Sequence, residues 1–374
     1  MKTGVREWAV PLLRCCRCGS KLESIPFHRT EMGEVPSGVM RCLQASCGQW
    51  YPVIEGVPRM LEGALRRSAV EPFVREHAAA LAGLDLRSHD RGGGADPTGA
   101  VRAMIAERFG FEWTEFSRFG WDDPRYGLDR EESVFRAKAL LRPEDLDGRI
   151  VLDAGCGNGR YAHWATRYGG RVMAVDLGGA VDAAARNLGG ERGVQVVEAD
   201  IFDLPFAPDT FDVVFSIGVL MHTGDTRRAA ACLVRTARPG GSVCLHVYGR
   251  GNRIYEAVDG VLRSRTTRLP PARMMRLAAG MYRLRRGLDR VGLGDQVGRF
   301  VRLDPHPACI FDWYAAPVAS HHTYPQVEGW LRDLGVSVVA TARRPVPSRS
   351  RVGGLVHALA RRPETVTIRG VVSR

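Results

Sequence analysis

The chain has 374 residues, 45% hydrophobic and 25% charged, with a net charge of +12. That length allows two or three modest domains around a sizeable core, and no apolar run reaches the length of a membrane-spanning helix. Nine cysteines, five of them before residue 48, are too uneven a set for a disulfide framework and point to a metal site in a reducing compartment.

The basic excess is almost wholly arginine, since Lys2, Lys21 and Lys138 are the only lysines. Such a ratio reflects genome composition as much as selection for phosphate contacts. Residues 1–8 carry no apolar signal region, so a cytoplasmic location is expected.

The first unit, 1–62, holds two cysteine pairs, Cys15/Cys18 and Cys42/Cys47, each closed by a glycine. Tetrahedral zinc takes four thiolates or imidazoles, and two tight turns can each present a pair. Cys15, Cys18, Cys42 and Cys47 are the expected ligands. Cys16 or His28 could replace one, and reduced buried cysteines are the competing reading. With the run Trp50-Tyr51-Pro52-Val53-Ile54-Glu55-Gly56-Val57-Pro58 that follows, this unit resembles the Trm112-like zinc-ribbon domain. The resemblance implies a structural Zn2+ and a module fused to, or partnering, a methyltransferase.

Residues 63–107 read as a connector, with a helical stretch through Phe73, Val74, Ala78, Leu81 and Leu84 before a glycine-rich run over 91–99. The aromatic segment 109–116 then lies at the start of the core, upstream of its first strand. Its Trp113 either folds over a ligand or packs on the sheet.

This core, 108–250, has an apolar first strand at 149–152, ending in Asp153 and the alternating glycines Gly155, Gly157 and Gly159. Glycines permit the sharp turn and the close backbone approach that a nucleoside needs. Cys156 sits in this loop as a backbone contributor, not a nucleophile. Three further strands end at Asp176 (followed by Leu177), Asp200 (followed by Ile201) and Ser216, and a fifth runs over 242–247. Acids at successive strand ends are what a doubly wound sheet offers a ligand. This ordered set resembles the class I S-adenosylmethionine-dependent methyltransferases.

The resemblance implies a Rossmann-like, doubly wound α/β fold with a seven-stranded sheet and S-adenosylmethionine as cofactor. Asp176 would accept both ribose hydroxyls and Asp200 would receive the adenine amino group. Asp153, Gly155, Cys156, Gly157, Gly159, Leu177, Ile201 and Ser216 would complete the cofactor site.

Residues 251–304 interrupt the sheet as a helical cap. Ile254, Ala257, Val258, Val261 and Leu262 fall at helical spacing, and after Pro270-Pro271 so do Met274, Leu277, Ala278, Met281, Leu284 and Leu288. Arg273, Arg276, Arg283 and Arg290 take the other face. Between Arg250 and Arg302 thirteen Arg stand against four acids, a balance of +9. That face is either simply solvated or faces an acidic acceptor, an anionic membrane or RNA. The part 305–374 returns to the sheet with a helix over 324–335 and strands over 336–340 and 365–372, the last pair expected at an antiparallel edge.

A hydroxyl acceptor must lose a proton during methylation, and a positioned base can assist. The candidates near strand ends are His222, His321 and His322; His246 reads as a sheet histidine. The leading expectation is methylation of a small-molecule acceptor, secondary-metabolite, sugar-like or quinone-like, at oxygen. An rRNA or tRNA methyltransferase that holds RNA with ribbon and cap is the alternative, though no motif for amino groups on bases follows the fourth strand. A non-catalytic S-adenosylmethionine-binding or scaffolding protein is the third reading. Composition says nothing of the oligomeric state.

Overall fold

A computed structural model of the chain describes residues 4–29, 35–84, 86, 99–121, 128–343 and 365–373. Near the N-terminus, β1 (Leu22–His28), β2 (Ser37–Cys42), β3 (Trp50–Ile54) and β4 (Val57–Pro58) form an antiparallel meander in that order. The β3–β4 connection is the two-residue loop Glu55-Gly56, with φ of 50° and 77°. Positive φ at both positions matches the right-handed strand twist. Helices α1 (Gly63–Glu76), α2 (Ala78–Ala82), α3 (Gly99–Glu115), α4 (Leu128–Ala139) and α5 (Pro143–Leu146) follow. Most of the expected glycine-rich run, 91–98, lies outside the described residues.

The second sheet comprises β5 (Ile150–Ala154), β6 (Arg171–Asp176), β7 (Val194–Glu198), β8 (Phe211–Ile217), β9 (Ala237–Tyr248), β10 (Val336–Thr341) and β11 (Thr365–Val372). Its spatial order is β10-β11-β9-β8-β5-β6-β7. β5 to β9 run parallel, and β11 is antiparallel to both β9 and β10. This is the seven-stranded α/β methyltransferase fold. Helices α6 (Arg160–Arg167), α7 (Ala180–Leu188), α8 (Thr226–Thr236) and α13 (Tyr324–Asp333) cross over between strands. The strand order reverses between β5 and β8, which opens a crevice at their carboxyl ends.

The final pair, β10 and β11, forms the antiparallel edge of the sheet, as expected. β11 inserts between β9 and β10, because Val366 and Ile368 are buried while β10 leaves Val338 and Val339 exposed. Only β10 suits the outer position.

The cap is helical: α9 (Arg253–Thr266), α10 (Pro271–Arg290) and α11 (Gly294–Val297), with α12 (Pro307–Ala315) beneath. Its faces differ from the sequence expectation. In α9 the residues turned inward are Tyr255, Asp259 and Thr266, whereas Ile254 and Val261 are exposed. The buried indole of Trp313 sets that phase, since its Nε1–H donates to Asp259 Oδ1 at 2.6 Å. In α10 Met274 and Ala278 are buried, but Leu277 and Leu284 are 39% and 56% exposed. At 100° per residue these two leucines sit off the narrow strip that one neighbouring helix can cover.

The N-terminal meander and the residues around it pack against the open edge strand β7. Arg59 bridges Glu198 in parallel register, and the Met60 amide donates to the Glu198 carbonyl at 2.7 Å. Gln195 accepts from the Arg6 amide and donates to the Gly56 carbonyl. Val5, Leu13, Tyr51 and Met60 share one core with Leu204 and Phe206. An edge strand that would otherwise present unpaired amides is thus covered.

Candidate active site and metal centre

The loop leaving β5 turns at Gly155, Gly157 and Gly159, with φ of 88°, 54° and 85°. A Cβ on Gly155 would lie 2.2 Å from Val219 Cγ2, and one on Gly157 would lie 2.9 Å from the Trp113 ring. Trp113 of α3 therefore lies directly against the loop. Gly159 caps α6, where a Cβ would meet Leu188 at 2.5 Å.

Asp176, at the end of β6, accepts from the Gly157 amide through Oδ2 at 2.6 Å and from the Leu177 amide through Oδ1 at 2.7 Å. Burial pushes its carboxyl up to about 6 despite these bonds. Burial first, then the nearby Asp176 charge, raises Asp153 as well, and Asp153 Oδ2 has no partner.

A cavity of about 330 Å3 opens beside this loop. Of the residues anticipated from sequence, Gly155, Cys156, Gly157, Asp176, Leu177, Asp200, Ile201 and His222 line it. Asp153, Gly159, Ser216, His321 and His322 do not. Ser216 is buried in the sheet and donates to the Ala154 carbonyl at 2.7 Å, so Ile217, Gly218 and Val219 form the wall beyond it. Asp200 is already engaged: Oδ2 pairs with Arg102 at 2.7 Å and Oδ1 accepts from the Phe202 amide. Burial raises the Cys156 thiol, which keeps it protonated.

The other end of the cavity is built around His222. Its Nδ1–H donates to the Val318 carbonyl at 2.8 Å, which leaves the Nε2 lone pair free and without a hydrogen-bond partner. Asp312 Oδ1 stands 3.6 Å from that Nε2, and the Tyr248 hydroxyl donates to Asp312 Oδ2 at 3.0 Å. Phe109 and Tyr248 pack on the imidazole. Burial lowers its pKa, against the opposing pull of Asp312. Glu112 of α3, 2% exposed, also lines the cavity with an unpartnered Oε2. Burial and the Asp312 charge raise its carboxyl.

The remaining histidines are held elsewhere. His321 Nδ1 bonds Glu256 Oε2 at 2.7 Å and its ring stacks on Trp313. His322 Nε2 lies between Ser320 and Thr226 hydroxyls at 2.8 and 3.1 Å. Both serve the packing of the C-terminal part outside the cavity. His246 lines the cavity while bonding Thr367 across the sheet at 2.7 Å.

Sequence reasoning did not single out Glu112 or Tyr248, and Asp312 enters it only as the acid of the segment Asp312-Trp313-Tyr314 upstream of His321 and His322. Tyr248 ends a strand at the crevice, a signal that was available. Glu112 and Asp312 fall within aromatic segments and have no spacing that ties them to the glycine loop.

In the N-terminal unit, the sulfurs of Cys15, Cys18, Cys42 and Cys47 all lie within 4.8 Å of one another, with Cys15–Cys47 at 3.8 Å and Cys18–Cys42 at 3.4 Å. Four thiolates about 2.3 Å from a tetrahedral zinc would sit roughly 3.8 Å apart. Gly19 and Gly48, with φ of 74° and 63°, let each turn fold back. Cys16 points away, its thiol reaching the Met60 carbonyl, and His28 is outside the cluster.

Residues 152–245 match the family described as a methyltransferase domain. Over 117 residues the chain is 35% identical to the demethylmenaquinone methyltransferase of Thermobifida fusca, covering 30% of this chain and 50% of that protein. Over 139 residues it is 32% identical to the "Probable tRNA methyltransferase 9B" of Mus musculus, covering 36% and 30%. A solved S-adenosylmethionine-dependent methyltransferase from Mesorhizobium loti superposes with a TM-score of 0.41 at 21% identity, covering 66% of this chain and 100% of that one. The chain spans about half or less of the length of these curated relatives. The glycine loop, Asp176, Asp200 and His222 fall within the matched residues, whereas Glu112, Trp113, Tyr248 and Asp312 of the cavity wall fall outside them.

Proposed function

We propose that the chain is a cytoplasmic S-adenosylmethionine-dependent methyltransferase acting on the hydroxyl of a small, quinone-like ring. The observation that carries this reading is one cavity with the glycine loop and Asp176 at one end and the free Nε2 of His222 at the other. The residues present fit the cofactor. Gly155 and Gly157 present the loop's backbone to the cavity, and Asp176 can accept from paired hydroxyls. When bound there, S-adenosylmethionine would supply a sulfonium-activated methyl group.

The protein's own work is then alignment and proton removal. His222, neutral because it is buried and tied to Val318 through Nδ1, takes the acceptor's proton at Nε2. Asp312, held by Tyr248, stabilises the imidazolium that results. Phe109, Trp113 and Tyr248 give the walls an aromatic character suited to a flat ring. The similarity to a demethylmenaquinone methyltransferase supports the same acceptor class. The four ribbon cysteines hold a structural Zn2+ in this reading, in a Trm112-like module that braces the β7 edge.

RNA methylation is the second reading, supported by the tRNA methyltransferase 9B match and the cap's charge. The test uses purified protein and methyl-labelled cofactor with a cell extract split into RNA, protein and small-molecule fractions. Label in the small-molecule fraction, absent with Asp176→Ala, is the expected result. Label in RNA alone would replace the first reading with the second, and no cofactor binding at all would leave a scaffold.

A further inference from the structure

The cap's outer surface has an order that the cavity does not use. Along α10 the pairs Arg276-Leu277, Arg283-Leu284 and Arg290-Val291 repeat every seven residues. Seven residues are nearly two helical turns, so each member recurs on one line. Arg276, Arg283 and Arg290 form an exposed cationic row, and Leu277, Leu284 and Val291 form an exposed apolar row, up to 67% accessible at Val291. Gly280 and Gly287 lie between the rows, and a Cβ on either would meet nothing within 4 Å.

No ion pair among the described residues involves Arg273, Arg276, Arg283 or Arg290. The single acid of α10, Asp289, is taken by Arg285. Of the twelve large hydrophobic side chains exposed among the described residues, seven fall between Ile254 and Phe300. Apolar exposure and unneutralised charge therefore coincide in one segment, where a solvated helix face would keep only the charge.

We propose that this face of α10 docks on an anionic lipid bilayer. Guanidinium groups pair with lipid phosphates while leucine and valine enter the headgroup–acyl boundary beside them, as on other helices that lie in the interface plane. Charge complementarity selects this occupant. A second copy of the chain would bring arginine rows against each other as it covered the leucines. The chain's own stretch 344–364, outside the described residues, carries five Arg and one Glu, the same sign of charge as the arginine row and so no complement to it. RNA would pair with the arginines and leave the apolar row in water. No helix among the described residues is long and apolar enough to cross a membrane, so the contact is peripheral. Docking requires neither cofactor nor a particular acceptor, and it stands or falls apart from the assignment of the cavity.

The experiment is co-sedimentation of the full chain with vesicles of phosphatidylcholine alone or mixed with phosphatidylglycerol. Binding to the mixed vesicles only, weakened by salt, is expected. Replacing Arg276, Arg283 and Arg290 together by Gln lowers the partition coefficient roughly a hundredfold, at about fivefold per guanidinium. Replacing Leu277, Leu284 and Val291 by Ser also releases the protein. Both triple variants change exposed side chains, and circular dichroism with cofactor titration verifies that they fold. Failure of the native protein to bind mixed vesicles overturns the proposal, as does unchanged binding by the arginine variant. So does light scattering that shows a dimer dissolved by the leucine variant, or RNA binding that outcompetes vesicles and ignores the leucine variant.

Discussion

Gly155→Ala tests whether the glycine loop is a cofactor cradle or merely a turn. Two costs are separable. A Cβ at a φ of 88° is strained, at about 1–2 kcal/mol for a non-glycine residue in the left-handed region. It would also lie 2.2, 2.6 and 2.8 Å from Cγ2, Cγ1 and Cβ of Val219. Because Val219 Cβ is itself too close, a rotamer change cannot relieve the overlap and the β8 end must shift, adding roughly 1–3 kcal/mol. Gly240→Ala is the control. Its φ is 74°, nothing lies within 4 Å of an added Cβ and it is not part of the cavity wall, so it meets the strain alone. Val219 lines the cavity, so its displacement is felt by the ligand. Titration calorimetry with S-adenosylhomocysteine should show Gly155→Ala weaker than Gly240→Ala by about 10–100-fold, at 1.4 kcal/mol per tenfold. Equal affinities for the two variants, or native affinity in Gly155→Ala, would refute the cradle.

Other consequences are as specific. His222→Ala should lower kcat by roughly 10²–10⁴-fold with cofactor affinity retained; a comparable loss from His321→Ala instead would move the base. Burial depresses the His222 pKa, so its neutral form persists below the ordinary histidine range. The kcat profile should fall only as pH drops through that lowered value, and this acid limb should vanish in the variant. Cys42→Ser or Cys47→Ser should release one zinc per chain by metal analysis and lower Tm, with metal content equal to the native protein the adverse result. Arg59, 7% exposed, pairs with Asp182 at 2.5 Å and Glu198 at 3.4 Å. Arg59→Ala strands the buried Glu198 carboxylate and should cost about 3–5 kcal/mol in urea unfolding; a shift within error would mean that the N-terminal unit contributes little there.

What the sequence determined by itself is what lies within a few residues. The glycines at 155, 157 and 159 encode a backbone path that other residues resist. The acids Asp176 and Asp200 announce strand ends because apolar runs precede them. The cysteine pairs with their glycines specify two tight turns, and the four sulfurs meet.

Tertiary structure decided the rest. His222, His321 and His322 are equal as letters, and only the Val318 carbonyl, Glu256 and the Thr226 hydroxyl separate the one facing the cavity from the two that do not. Tyr248 and Asp312 meet across 64 residues of chain, with Glu112 brought in from α3, and no periodicity links them. The phases of α9 and α10 followed Trp313 and α12, because amphipathic spacing defines a stripe but the neighbour's width defines how much of it is covered. Local backbone preference acts over a turn or a strand. Which side chains share a cavity, and which leucines stay in water, depends on surfaces that exist only once the sheet and the cap have packed.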